Sequence, residues 1–457
     1  MDFYQINLAA FVLVNGSMVY RQYRQDKRAE LSERIQGFDA ENNGAGDGGH
    51  PAKVDTAPTA SSAKQFTNIF FPVYVLVWGA DWLQGPFIYT LYKDEKKLPE
   101  EIVARLFTTG FLAGAISALF VGSLADRFGR KNACLAYCAI TSLSCLSVLS
   151  NNISILFAGR ALGGLGTTLM YTVFEAWMVT EYNQRALEGT SLKLSSIFGR
   201  MITLSSVVAV LAGLVGQVFV SWTGTNCAPF VASICCLAPA SFIIARKWSE
   251  NFGDSGSAPK EKKDSLKLLL GVDKQVLTLG LTSCCFEGSM YLFIFFWSPA
   301  LKSSHLLAHQ HSALPFGIIF ASFMGAMMLG SMLFTKILTD KRWMTCRELL
   351  QTVVVLASGS LLCTVFFRSE YVTFWLFCVF ELCVGMYFPA MGYQKGKVVG
   401  DGERAHIYGL LRIPFNIFVV VALSLTKEGD AYRETIFMTC SGLLLIVGAV
   451  VGVFLHD

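Results

Sequence analysis

The chain has 457 residues, of which 53% are hydrophobic and only 15% charged. That leaves too little polar surface to cover a soluble fold, and with 36 Phe and 40 Gly it reads as an all-α polytopic membrane protein whose glycines let helices approach closely. Lys+Arg number 37 against 33 Asp+Glu, a net charge of +4 that cytoplasmic loops account for without a nucleic-acid partner.

Residues 3–20 are apolar, with no cation before them and Arg21, Arg24, Lys27 and Arg28 behind. A cleaved signal peptide has its cations in front and a small-residue site behind. The reversed polarity favours an uncleaved anchor over residues 1–20 with its N-terminus outside; a cleaved or interfacial segment is the alternative. Residues 36–64 are rich in Gly, Ala, Ser, Asn and Asp, so residues 21–65 are expected to form a disordered cytoplasmic linker.

A helix needs about 20 apolar residues to cross a bilayer. Six such stretches follow, at 66–91, 102–124, 132–149, 153–179, 191–220 and 228–245, and define an N-terminal bundle over residues 66–248. Residues 249–265 are polar, with Lys260, Lys262 and Lys263, and residues 249–270 read as a cytoplasmic link between domains. A second set at 272–299, 314–338, 349–367, 371–391, 407–425 and 435–455 defines a C-terminal bundle over residues 271–457. Alternation then puts Lys336, Lys341, Arg342, Arg347, Lys395, Lys397 and Arg404 inside, as the positive-inside rule requires.

The chain is organised around Gly-Ser-Leu-Ala-Asp-Arg-Phe-Gly-Arg-Lys, residues 122–131. So short a charged turn between two apolar segments sits at a membrane surface, and Arg127, Arg130 and Lys131 make that surface cytoplasmic. Asp126 is expected near the start of the next helix, where its charge suits the helix dipole. Gly122 and Gly129 are expected where backbones turn or approach closely.

Rare intramembrane charges let the two halves be laid over each other. Asp81 corresponds to Glu287, Arg160-x-x-x-Gly164 to Glu381-x-x-x-Gly385, Arg200 to Arg412, and Asp126-Arg127 to Asp340-Lys341. An ionisable side chain in hydrocarbon costs on the order of 3 kcal/mol unless paired or wet, so Asp81, Arg160, Glu175, Arg200, Glu287, Glu381 and Arg412 are expected to face the bundle interior or a water-filled cavity. Arg200, Arg412 and Arg160 are the candidate substrate residues. An arginine stays charged at any working pH, and its planar fork suits an oxyanion. The competing role for Arg160 is an ion pair with Asp81. Asp81 and Glu287 are candidates for proton coupling or for structural pairing; Glu381 belongs to the same ion-pair set, and Glu175 is expected to fix a gate or helix contact. Prolines at Gly85-Pro86, Pro389 and Pro414 predict kinks.

No enzyme signature and no cofactor site is evident. The 13 Cys show no metal-ligand spacing with His and read as small apolar packing residues. His305, His309 and His311 fall in an outer loop without acidic or Cys partners, which argues for a solvated loop rather than a metal site. The sequon Asn152-Ile-Ser154 lies against the membrane and is expected to be unmodified.

The ten-residue turn resembles the loop between helices two and three of the major facilitator superfamily. Further stretches, Ala80-Asp-Trp-Leu-Gln-Gly-Pro86, Phe174-Glu-Ala-Trp177, Ala228-Pro-Phe-Val231 and Tyr387-Phe-Pro-Ala-Met391 among them, resemble the molybdate-anion branch of that superfamily from end to end. The resemblance implies two six-helix bundles around a mid-membrane site, and uptake of molybdate, a tetrahedral dianion, by alternating access, with protons as a candidate co-substrate. It supplies no substrate motif, so the site residues rest on charge and depth. A monomer in the plasma membrane is expected, with an intracellular membrane as the alternative. Two rival functions stand beside this one. The same fold could carry a sulfate-like or organic anion or a sugar with proton coupling, or the protein could be a non-transporting receptor or scaffold.

Overall fold

The computed structural model describes residues 2–21, 24, 60–187, 192, 194–252, 274–308, 313–340, 344–398, 417–427 and 429–455. Among these residues there is helix and no strand. A first helix, α1, covers residues 3–21. The first half then contains α2 (Ala60–Gln84), α3 (Glu100–Ala118), a short α4 (Val121–Phe128), α5 (Arg130–Ser147), α6 (Ile153–Gln184), α7 (Leu194–Thr223) and α8 (Ala228–Lys247). The second contains α9 (Lys274–Leu307), α10 (Phe316–Asp340), α11 (Cys346–Phe366), α12 (Glu370–Val398), α13 at residues 417–424 and α14 (Asp430–Phe454). Ten of these helices are long and apolar enough to cross a membrane.

Several boundaries differ from expectation; α6, α9 and α12 run past their apolar stretches to Gln184, Leu307 and Val398, and others differ for local reasons. Helix α2 begins at Ala60, so the last residues of the stretch read as linker are helical. Beyond Gln84, Gly85-Pro86 cannot continue an α-helix; the chain passes through a 3₁₀ turn at Gly85–Phe87 and a wide turn at Leu91–Glu95, still as one span. The stretch read as one helix to residue 124 is two, α3 and α4, separated after Ala118.

Within each half the same helix pairs pack. First packs on sixth (α2 on α8, α9 on α14), and second on fourth (α3 on α6, α10 on α12). Third packs on both fourth (α5 on α6, α11 on α12) and sixth (α5 on α8, α11 on α14). The second-on-fourth crossing is made by glycine both times. A Cβ at Gly164 would strike the Gly110 carbonyl and lie 2.9 Å from the Gly114 amide; one at Gly385 would strike the Met327 carbonyl. Only a missing side chain permits that approach. Gly164 and Gly385 are the pair matched in the sequence, so the repeat has a packing basis.

Across the halves, α7 packs on α10, where Gly213 and Gly317 meet and Gln217 Oε1 accepts the Gly317 amide at 2.9 Å. The other cross-half contacts also fall at the outer ends. Phe295 meets Tyr89 (5.4 Å) and Phe107 (5.0 Å) edge-on, Tyr291 meets Phe111 at 5.0 Å, Phe320 meets Trp82, and Asp94 pairs with Lys302. The apolar core divides accordingly. One cluster joins the second half to the outer ends of the first, from Phe87 to Phe107. Another, from Phe66 to Trp248, stays inside the first half toward the cytoplasm.

Helix α1 packs on the second half. Tyr4, Leu8, Phe11 and Asn15 are buried at spacings that put them on one helical stripe. The Asn15 amide donates to the Gly325 carbonyl on α10 at 2.9 Å, and Phe3 meets Tyr371 and Phe374 near the outer end of α12.

Candidate functional site

The ten-residue turn carries a network of bonds that locks the α4–α5 corner at one end of the first half. Arg130 opens α5 and reaches three ways. Its Nε and Nη2 bond Asp126 Oδ1 at 2.9 and 2.7 Å, Nη1 reaches the Ala176 carbonyl at 3.2 Å, and Nη1 also meets Thr180 on α6. Asp126 is not at the start of α5; it lies near the end of α4. The acid that serves the α5 N-terminus is Glu250, whose Oε1 accepts the Lys131 amide at 2.8 Å. Gly129 has φ +100°, and a side chain there would run into the Glu250 carboxylate. Gly122 has nothing within 4 Å, so close packing is not its reason. Arg127 stands over the Phe128 ring at 5.4 Å. The lock is backed by Trp177 stacked on Trp248 at 3.6 Å, with the Asn251 amide donating to the Trp177 carbonyl.

The membrane charges separate into groups. Arg160 on α6 does not pair with Asp81. Its guanidinium lies 5.2 Å over Phe107, with Nε 3.4 Å from the Leu106 carbonyl, in the space Gly110 leaves open. Asp81 has no hydrogen-bond or ion-pair partner among the described residues. Arg200 is exposed on α7, next to Met201, whose carbonyl accepts the Tyr74 hydroxyl at 3.0 Å. Arg412 lies outside the described residues, as do Pro414, His309, His311 and Lys341. Glu175 is exposed on α6. Glu381, on α12, is buried at 5% exposure without an ion pair among the described residues.

Glu287 is different: it is the centre of a cluster joining α9 to α12. Its Oε1 accepts from Ser283 one turn away and from the Tyr387 hydroxyl at 3.3 Å, and Lys395 Nζ lies 4.0 Å from it. Lys395 also donates to Ser283 Oγ at 3.2 Å. The Tyr387 ring is fixed by stacking on Phe286 at 3.9 Å. Two turns further along the same face of α12, Gln394 is fully buried, and neither amide atom has a partner among the described residues. The carboxylate, ammonium, phenol and hydroxyl gathered around Glu287 can hold an anion or exchange a proton.

Lys395 was counted in the sequence only as an inside cation. Its position eight residues after Tyr387, about two turns along one helix, was the available signal, because it brings the side chain back toward the Tyr387 side. At the outer end, His305 is not in a loop. It lies in the last turn of α9, buried, with Nδ1 2.8 Å from Glu370 Oε2; the Tyr4 hydroxyl of α1 donates to Glu370 Oε1. Asn152 caps α6 by accepting the Ser154 amide at 2.9 Å. Among the described residues no group of His, Cys, Asp and Glu is arranged to hold a metal ion.

The chain matches the family MFS_5, sugar transporters with 12 transmembrane segments, over residues 49–372. It is 31% identical over 421 residues to a molybdate-anion transporter of Xenopus tropicalis, covering 88% of this chain and 89% of that protein. To the molybdate-anion transporter of Danio rerio it is 30% identical, covering 86% and 87%. The fold is similar to that of the nucleoside transporter NupG, with TM-score 0.64, 13% identity, 86% of this chain and 99% of that one. It is also similar to a peptide transporter POT in complex with sulfate, with TM-score 0.64, 14% identity, and 85% and 93% covered. A match over more than half the chain and relatives aligned nearly end to end leave one assignment: this chain belongs to the MFS_5 family of the major facilitator superfamily.

Proposed function

We propose that the protein takes up molybdate, or a tetrahedral oxyanion of the same charge, across a membrane by alternating access. The observation that carries this is the end-to-end likeness to molybdate-anion transporters at 31% identity. Substrate would meet Arg200, with Arg412 as its counterpart in the repeat. Arg160 would join them only by leaving Phe107. Lys395 is added from the Glu287 cluster. An arriving dianion competes with the Glu287 carboxylate for the Lys395 ammonium; Glu287, released, takes a proton, and anion and proton travel together. Asp81, Glu381 and Glu175 are the remaining coupling and ion-pair candidates. The joined outer ends and separate cytoplasmic core support an inward-facing state, and the turn at residues 122–131 serves as a conformational latch.

The same reading treats α1 as a thirteenth span, its N-terminus outside, because Tyr4 lies with the outer end of α12. It divides the chain at residues 1–20, 21–65, 66–248, 249–270 and 271–457, and has a monomer working in the plasma membrane. The alternative that the family description names is transport of a sugar. Radiolabelled molybdate flux into proteoliposomes, with and without a pH gradient, decides. Saturable uptake blocked by tungstate and lost in an Arg200→Ala, Arg412→Ala double variant is expected. Absence of molybdate flux alongside glucose flux would replace the first reading with the second.

A further inference from the structure

At the cytoplasmic edge of the first half, a cavity of about 600 Å³ is lined by Lys64, Gln65, Asn68, Ile69, Arg185 and Lys247. Every lining residue comes from that half, so the cavity is separate from the Glu287 cluster. Its cations come from three elements: the start of α2, the residue after α6 and the last residue of α8. Cations at the ends of α6 and α8 suit the negative ends of those helix dipoles. That does not account for Lys64, near the positive end of α2, nor for all three facing one space.

The walls are built. The Trp248 indole donates to the Ile69 carbonyl at 3.2 Å and ties α8 to α2. The Arg185 guanidinium is held by Glu181 at 2.7 Å, and that carboxylate, 4% exposed, accepts from Ser249 Oγ at 2.6 Å. Asn68 stands one turn from Lys64 on the same face of α2 and adds a neutral donor. With Glu181 committed to Arg185, Lys64 and Lys247 have no acidic partner among the described residues and face a space of the size that takes a small ligand.

We infer that this cavity is a binding site for a multiply charged phosphate group, carried by an anionic lipid headgroup or by a soluble inositol phosphate. Ammonium groups bind phosphate as mobile point charges, the Arg185 fork adds directional donors, and the cytoplasmic surface is where anionic headgroups reside.

The test is binding to the purified full-length protein by thermophoresis. The probes are short-chain phosphatidylinositol bisphosphate, inositol trisphosphate, inorganic phosphate and phosphatidylcholine. The phosphate-rich probes are expected to bind and phosphatidylcholine not. Binding of the lipid alone assigns a headgroup site; equal binding of inositol trisphosphate assigns a soluble ligand. Lys64→Gln with Lys247→Gln should weaken binding at least about tenfold. Arg246→Gln removes the same kind of charge next door, where the side chain lies over Phe242 and not in the cavity, and should change binding less than about twofold. The single variants repeat the measurement if the double variant does not fold. An equal loss with Arg246→Gln, or no preference over phosphatidylcholine, would overturn the site. So would carbodiimide cross-links from Lys247 to acids of residues 26–55 without phosphate binding, which would give the cavity to the chain's own linker.

Discussion

The two halves share a scaffold but keep their polar groups at different depths. Both pack second on fourth helix through a glycine, Gly164 on Gly110 and Gly385 on Met327. Four residues before each glycine, the first half has Arg160, resting on a ring and a carbonyl, and the second has Glu381, buried without an ion pair among the described residues. In the first half the bonded charges lie at its two ends, around Arg130, Glu250 and Glu181 at one and around Glu95 and Lys96 at the other. In the second they lie inside the bundle at Glu287 and at its outer end at Glu370. Glycine contacts tolerate no added atom, so they persist in both copies. A charge needs only some partner or water, so its surroundings can diverge.

The glycines should give the largest effects. Gly164→Leu and Gly385→Leu force side chains into carbonyls, and overpacking of this kind costs upward of about 3 kcal/mol. Both variants should lose monodisperse protein by size-exclusion chromatography, whereas Gly122→Leu should not. Loss in one half alone would break the equivalence.

Next comes the Glu287 cluster. Lys395→Ala and Glu287→Gln should each lower uptake by about tenfold or more, since each strips a buried charge of its partner. Asp81→Asn should lower it less, because Asp81 has no such network; equal losses would make coupling a property of both halves.

Smaller effects belong to the ends. Tyr4→Phe removes the hydroxyl that donates to Glu370 and should cost about 1.5–3 kcal/mol, read as a lower melting temperature. An unchanged melting temperature would mean α1 is held by its aromatic contacts. Asp94→Asn opens a partly exposed cross-half ion pair worth at most about 1 kcal/mol. It should shift the balance toward outer opening by up to about fivefold, read as labelling of a cysteine placed at Ser298, buried between Phe295 and Lys302 on one face of α9. No shift would mean the ring contacts hold the outer closure.

Much of the scaffold was legible. Runs of about twenty apolar residues have one outcome in a bilayer, and cations after alternate runs predict which side each end occupies. Gly164 and Gly385 could be matched because each follows a charge at the same spacing. The site was less legible. Lys395 looked like any inside cation, and His305 like part of a loop, until α12 and α9 were seen to extend a turn or more past their apolar runs. The α5 N-terminus was assigned to Asp126, four residues from Arg130, although Glu250, more than a hundred residues on, takes that place.

The amino-acid sequence by itself determined the spans, the doubling and the rare charges, because each follows from local hydropathy and spacing. Tertiary structure alone decided which charge meets which. Arg160 lies on Phe107 and not on Asp81, Lys395 lies beside Glu287, and three cations face one cavity. Those partnerships depend on how helices far apart in sequence are rotated against one another, and a rotation is set by the packing of the whole bundle.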